Sequence, residues 1–167
     1  MSFFYKNPFI FNRSLRRNPI LKILTISFSW ALLTCIFLNP NLPKLSNFEV
    51  FHFFERLFFL ISVCLVFEIN DYDEDSSFQM SFPNKYGIRV TRILAIFFTY
   101  VSLYFLFQGF EEFSLYIISI LTMSLLAQIS ILTVKPKSHF YFTRLWTEAL
   151  PIVPFIILKV NLLINFF

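Results

Sequence analysis

The chain has 167 residues, 57% of them hydrophobic and only 14% charged, with 26 phenylalanines and a mean hydropathy of +0.68. Soluble domains carry about 25% charged residues, so this composition excludes an ordinary soluble globular protein. It points instead to an all-α, polytopic membrane protein whose first partner is the lipid bilayer. The net charge of +4 does not indicate a nucleic-acid partner, because the basic residues are spread over loops between apolar runs.

In chain order, residues 1–19 are a basic, aromatic lead-in that holds Lys6, Arg13, Arg16 and Arg17. No uninterrupted apolar core there precedes a small-residue cleavage site, so no cleavable signal is expected. Pro19 suits the first turn of a following helix. The apolar runs then predict five transmembrane helices in a single domain. They lie at about 20–38, 48–69, 93–110, 113–134 and 145–167. Asn39-Pro40 stops the first span. Glu55 and Arg56 lie about two turns into the second, where charges are costly in lipid and should face the bundle or snorkel. Glu111 and Glu112 mark a tight turn between the third and fourth spans. Pro151 and Pro154 fall early in the fifth, tolerable where neighbours satisfy the freed carbonyls.

Cys35 and Cys64 lie inside apolar runs and read as small hydrophobes. His52 and His139 are far apart in this topology and suggest no shared site. Tyr100, Tyr104 and Tyr116 read as packing or interface residues.

The loops alternate sides, and the basic residues follow them. Lys6, Arg13, Arg16, Arg17 and Lys22 fall on one side, with Lys85, Arg89, Arg92, Lys135, Lys137 and Arg144. Those are eleven of the 14 basic residues. Lys44, Arg56 and Lys159 remain for the other side. The positive-inside rule therefore puts the N-terminus and the loop after the second span in the cytoplasm, with the C-terminus outside.

That loop opens on Glu68-Ile-Asn-Asp-Tyr-Asp-Glu-Asp75, which holds five of the ten acidic residues of the chain. At about 100° per residue, Glu68, Asp71 and Asp75 fall within about 60° of one another on a helix. Three carboxylates on one face repel each other, and a divalent cation relieves that repulsion. Oxygen ligands of this kind suit Mg²⁺, which completes its shell with water and phosphates. The plain alternative is a solvated helix end, but acidic groups at a helix C-terminus oppose the macrodipole. Asp73 and Glu74 point off the shared face. Glu148 either lines a cavity or pairs with Arg144 at i, i+4. Lys159 reads as a snorkelling lysine.

Phe67-Glu-Ile-Asn-Asp-Tyr-Asp-Glu-Asp75, followed by Ser81-Phe-Pro-Asn-Lys-Tyr-Gly87, resembles the second aspartate-rich motif of the UbiA superfamily of intramembrane prenyltransferases. Arg17-Asn-Pro-Ile-Leu-Lys-Ile23 with Trp30-Ala31 is similar to the fifth helix of that fold. Tyr141-Phe, through Trp146-Thr-Glu-Ala-Leu-Pro151, looks like the entrance to its last helix. The resemblance implies a UbiA-like half bundle, matching the C-terminal part of a nine-helix fold. It implies Mg²⁺ on Glu68, Asp71 and Asp75, with a polyprenyl diphosphate as substrate and Lys85 near its phosphates. The prenyl group would pass to an acceptor.

The chain departs from the family pattern in three places. Glu68 stands where the pattern has Asp, and Asn70 where it has Arg. The first acidic motif, Asn-Asp-x-x-Asp-x-x-x-Asp, is absent. The resemblance therefore implies a partial enzyme, inactive alone. It would be a truncated gene product, or a half that pairs with a separate N-terminal half or with further copies of itself. A different class remains beside it: a non-catalytic membrane accessory or ion-binding protein.

Overall fold

The computed structural model describes residues 18–37, 47–72, 81–109, 114–136 and 146–164, and these are helical with no strand among them. Helix α1 spans Pro19–Leu32. Asn18 caps it, its side chain accepting from the Ile20 N–H at 3.1 Å, and Pro19 fills the first position, where an N–H has no helical partner. The helix continues as a π turn, Leu33–Phe37. Thr34 Oγ1 donates to the Trp30 carbonyl at 2.8 Å, a side-chain bond that competes with the backbone ladder at the point where α1 loosens.

Helix α2, Asn47–Asn70, has 24 residues and is about 36 Å long at 1.5 Å per residue, enough to cross a membrane. A short helix α3, Phe82–Tyr86, is followed at once by α4, Ile88–Gly109. Helix α5 spans Leu115–Thr133. Thus α2, α4 and α5 are long and apolar enough to span a bilayer, and the chain is an integral membrane protein built of helices.

Two boundaries differ from the hydropathy reading. Helix α4 starts at Ile88 rather than about 93, because Gly87 supplies the break with φ +86, a conformation that L side chains rarely adopt. Arg89 and Arg92 are therefore helical rather than in a loop. At the C-terminal end the structure shows a four-residue helix α6, Trp146–Ala149, and then α7, Ile152–Ile164, in place of one span over 145–167. Pro151 falls at the break, where the missing N–H and the restriction on Leu150 both disfavour a continuous helix. Helix α7, with 13 residues, covers about 20 Å, short of a hydrocarbon core of about 30 Å.

The centre of the bundle is the α2–α4 seam. The buried residues of α4 are Thr91, Ala95, Thr99, Ser102 and Leu106, spaced three or four apart and mostly small. Small side chains let helix backbones approach closely in lipid, where no hydrophobic drive operates between helices. Ser62 Oγ and Thr99 Oγ1 meet across the seam at 2.8 Å. Beside them runs a column of rings: Phe54–Phe105 at 5.2 Å, Phe105–Phe58 at 5.5 Å and Phe58–Phe98 at 5.9 Å between centroids. At the far end Gly109 lies against α2, and a Cβ there would meet Phe51 Cβ at 3.2 Å.

Apolar packing divides into two clusters. One gathers Ile23, Ile61, Leu65, Ile69, Phe82 and Ala95 near the end of α2. The other gathers Phe59, Leu106, Ile117, Ile120, Met123 and Leu150. Arg92 Nη2 donates to the Val134 carbonyl at 2.8 Å, so the first turn of α4 lies beside the end of α5. The starts of α1 and α4 and the ends of α2 and α5 therefore share one end of the bundle.

Candidate functional site

That shared end carries the acidic stretch. Glu68 lies in the last turn of α2 and is 5% exposed. Its two oxygens have separate partners. Lys22 Nζ, from the first turn of α1, is 2.7 Å from Oε1. The Phe82 backbone N–H, at the start of α3, donates to Oε2 at 3.0 Å. A buried carboxylate is tolerable only when paired and hydrogen-bonded, and here one cation and one N–H from two other elements meet that demand.

Local sequence sets α3 in place for this contact. Ser81 caps it, its Oγ accepting from the Asn84 N–H at 3.4 Å. The Gly87 N–H donates back to the Pro83 carbonyl at 2.8 Å and closes the turn. Asn84 Nδ2 reaches the Tyr72 carbonyl at 3.5 Å, tying α3 to the chain just past α2.

Asp71 follows α2, its N–H still donating to the Phe67 carbonyl at 2.9 Å. It is half-buried, and its Oδ1 accepts from Asn70 Nδ2 at 3.2 Å. Asp75, the third acid of the expected set, lies outside the described residues, as do Asp73 and Glu74. Among the described residues no group of three or more His, Cys, Asp or Glu side chains converges to hold a metal ion. Lys85 is exposed on α3, with its ammonium 5.2 Å from the centroid of the Tyr86 ring.

Beneath these charges is a cavity of about 150 Å³. Apolar side chains line it, among them Ile23 and Leu24 from α1, Ile61 and Leu65 from α2, Phe82 from α3 and Phe98 from α4. Phe82 thus belongs to both parts: its ring lines the cavity and its N–H holds Glu68. Charged groups thus adjoin an apolar hollow at the end of a membrane helix.

Sequence reasoning counted Lys22 only as a topology signal. Its place opposite Glu68 had one available clue: a lysine in the first turn of an apolar helix must either snorkel or find a carboxylate. A second polar group, around Glu55, has members that the sequence did not connect. Glu55, inside the bundle as its charge required, is fully buried and sits beside His52, Arg56 and Ser102. His52, read as isolated, and Tyr116, read as packing, meet with Nδ1 and the hydroxyl 3.4 Å apart. Elsewhere, Lys159 lies over Phe155, 5.5 Å from the ring centroid. Glu148 is exposed, and Arg144 lies outside the described residues. Cys35 and Cys64 are free thiols.

Comparison of the chain with protein-family models, with curated proteins and with solved structures finds no match.

Proposed function

We propose that this chain is a UbiA-like prenyltransferase half, which holds the diphosphate of a polyprenyl donor where α2 ends and takes the start of the donor's apolar chain into the adjoining cavity. The observation that carries this reading is the junction at Phe82, where an apolar hollow meets the Glu68–Lys22 pair through one residue. Lys22 and Lys85 supply positive charge for phosphate oxygens. Glu68, with both oxygens engaged, serves by holding Lys22. Asp71 offers a hard oxygen ligand of the kind that suits Mg²⁺, and Asp75 would be the second such ligand. When bound, that ion would neutralise charge on the leaving diphosphate. Transfer to an acceptor would also need the first acidic motif of that family. In this reading the Glu68 end of the bundle faces the cytoplasm, and a thiol reagent applied from that side should label a cysteine placed at the exposed Arg89, in an Arg89→Cys variant.

Titration of farnesyl diphosphate into the full chain in lipid nanodiscs tests the site. Binding should require Mg²⁺, and Asp71→Asn should weaken it at least about tenfold. Equal affinity in the Asp71→Asn variant and in chelator would sink the reading.

One observation favours a second reading, a non-catalytic membrane protein. Glu68 joins α1, α2 and α3, which is sufficient reason for a buried acid without any ligand. That reading expects Glu68→Gln to lower stability, and it expects no farnesyl diphosphate binding by the wild-type chain at any Mg²⁺ concentration.

A further inference from the structure

We propose that His52 and Glu55 form an intramembrane proton-binding pair, in which His52 passes a proton between water at the start of α2 and the buried Glu55 carboxylate. The proposal is independent of the prenyl-diphosphate reading and concerns the other half of α2.

Geometry makes the case. At 1.5 Å per residue, His52 lies about 8 Å and Glu55 about 12 Å from the first residue of α2. The His52 side chain is 23% exposed and that of Glu55 0%, so the imidazole stands between the carboxylate and the boundary. Nδ1 of His52 is 3.3 Å from Glu55 Oε2, and the Tyr116 hydroxyl is 3.4 Å from that same nitrogen. Arg56 Nε lies 3.4 Å from Oε2 as well. Neither neighbour is aligned as a hydrogen bond, and Oε2 is left without a donor inside the bundle. Oε1 accepts from Ser102 Oγ at 3.5 Å. A buried carboxylate oxygen lacking a donor has a strong demand for one.

A single nitrogen facing two partners creates an alternation. With a proton on Nδ1, the imidazole can turn slightly and donate to Glu55 Oε2. If that proton moves to Oε2, the imidazole keeps its Nε2 proton, and the lone pair uncovered on Nδ1 accepts from the Tyr116 hydroxyl. One N–H bond breaks, one O–H bond forms, and His52 regains a proton from water. The other groups facing the pair are accounted for. Arg56, on α2 itself, balances an ionised Glu55. The π turn contributes Cys35, whose thiol lies 3.9 Å from the His52 carbonyl. Helix α4 contributes the uncharged Ser102, and α5 contributes Tyr116. Tyr116 stands on α5 and His52 on α2, so the position of the proton makes or breaks one bond between those helices, beside the contact of Arg56 Nη1 with Met123 Sδ at 3.9 Å. Ionisable residues inside membrane helices mark proton and ion pathways in this way.

Infrared difference spectra of the full chain in nanodiscs, recorded across the range in which histidine titrates, about pH 5 to 8, test the pair. Acidification should raise a protonated-carboxyl band that is lost in Glu55→Gln. Should that variant fail to assemble, Ser102→Ala keeps the acid but removes the donor to Oε1, so the band should shift in frequency. With His139→Gln as background, His52 is the only histidine, and its ring nitrogens can be read by ¹⁵N NMR. Tyr116→Phe should raise the share of the tautomer protonated on Nδ1. A carboxyl band unchanged in Glu55→Gln, a band unmoved in Ser102→Ala, or a His52 spectrum indifferent to Tyr116→Phe would each overturn the proposal.

Discussion

Glu68 and Glu55 are buried carboxylates on one helix, yet they are held in opposite ways. Glu68 takes its partners from elsewhere in the fold: Lys22 from α1 and the Phe82 N–H from α3. Glu55 takes two of its three from its own helix, His52 at i−3 and Arg56 at i+1, and only Ser102 from a neighbour. The first arrangement fastens three elements together. The second exists as soon as α2 is helical, and leaves an oxygen without a donor. Buried charge therefore performs assembly at one end of the helix and leaves room for exchange at the other.

Removing the cation at each end should give unequal effects. Lys22→Met leaves Glu68 buried with only the Phe82 N–H and should cost about 3 kcal/mol, the low end for a broken buried pair because the lysine side chain is 40% exposed. Unfolding in mixed micelles measures it, and a loss no larger than that of Arg56→Met would erase the contrast. Gly87→Ala should come next, at about 2 kcal/mol, since its φ of +86 and ψ of 149 suit glycine. Hydrogen exchange should then rise in α3 and leave the His52–Glu55 region as it was; a uniform rise would show that the two ends are not independent. Arg56→Met should cost about 1–2 kcal/mol, because His52 and Ser102 still attend Glu55. Smallest of all, Ser62→Ala removes the hydrogen bond to Thr99 midway between the two acids, and should cost about 0.6 kcal/mol, the average for such bonds between membrane helices. A much larger loss there would move the weight of the fold from the two ends to the seam.

The parts of this fold that depend on composition were readable in advance. The apolar runs containing Ile61, Ala95 and Ile120 announce α2, α4 and α5, because a lipid-spanning helix must be apolar along its whole length. The departures came from single residues acting locally. Gly87 starts α4 five residues early by its backbone conformation, and Pro151 divides the last apolar run. Hydropathy averages over both.

The site was readable in part. Glu68 and Asp71 could be named from their clustering and from a resemblance. Lys22 could not be paired with Glu68, since 46 positions separate them and only the packing of α1 on α2 brings them together. The His52–Glu55 contact lies within one helical turn. It was within reach of the i, i+3 rule, and was missed because the histidines were compared with each other rather than with the neighbouring acid.

The column of Phe54, Phe105, Phe58 and Phe98 constrains how this bundle can move. Rings from α2 and α4 alternate along it, two of the contacts lying within 11° of parallel. A slide of one helix past the other by a single residue, about 1.5 Å, would shift every ring against its neighbour at once. The coupled rings and the Ser62–Thr99 bond tie the two helices along their length, so the α2–α4 pair resists sliding more than α1 with its loosened turn or the divided segment at the C-terminal end.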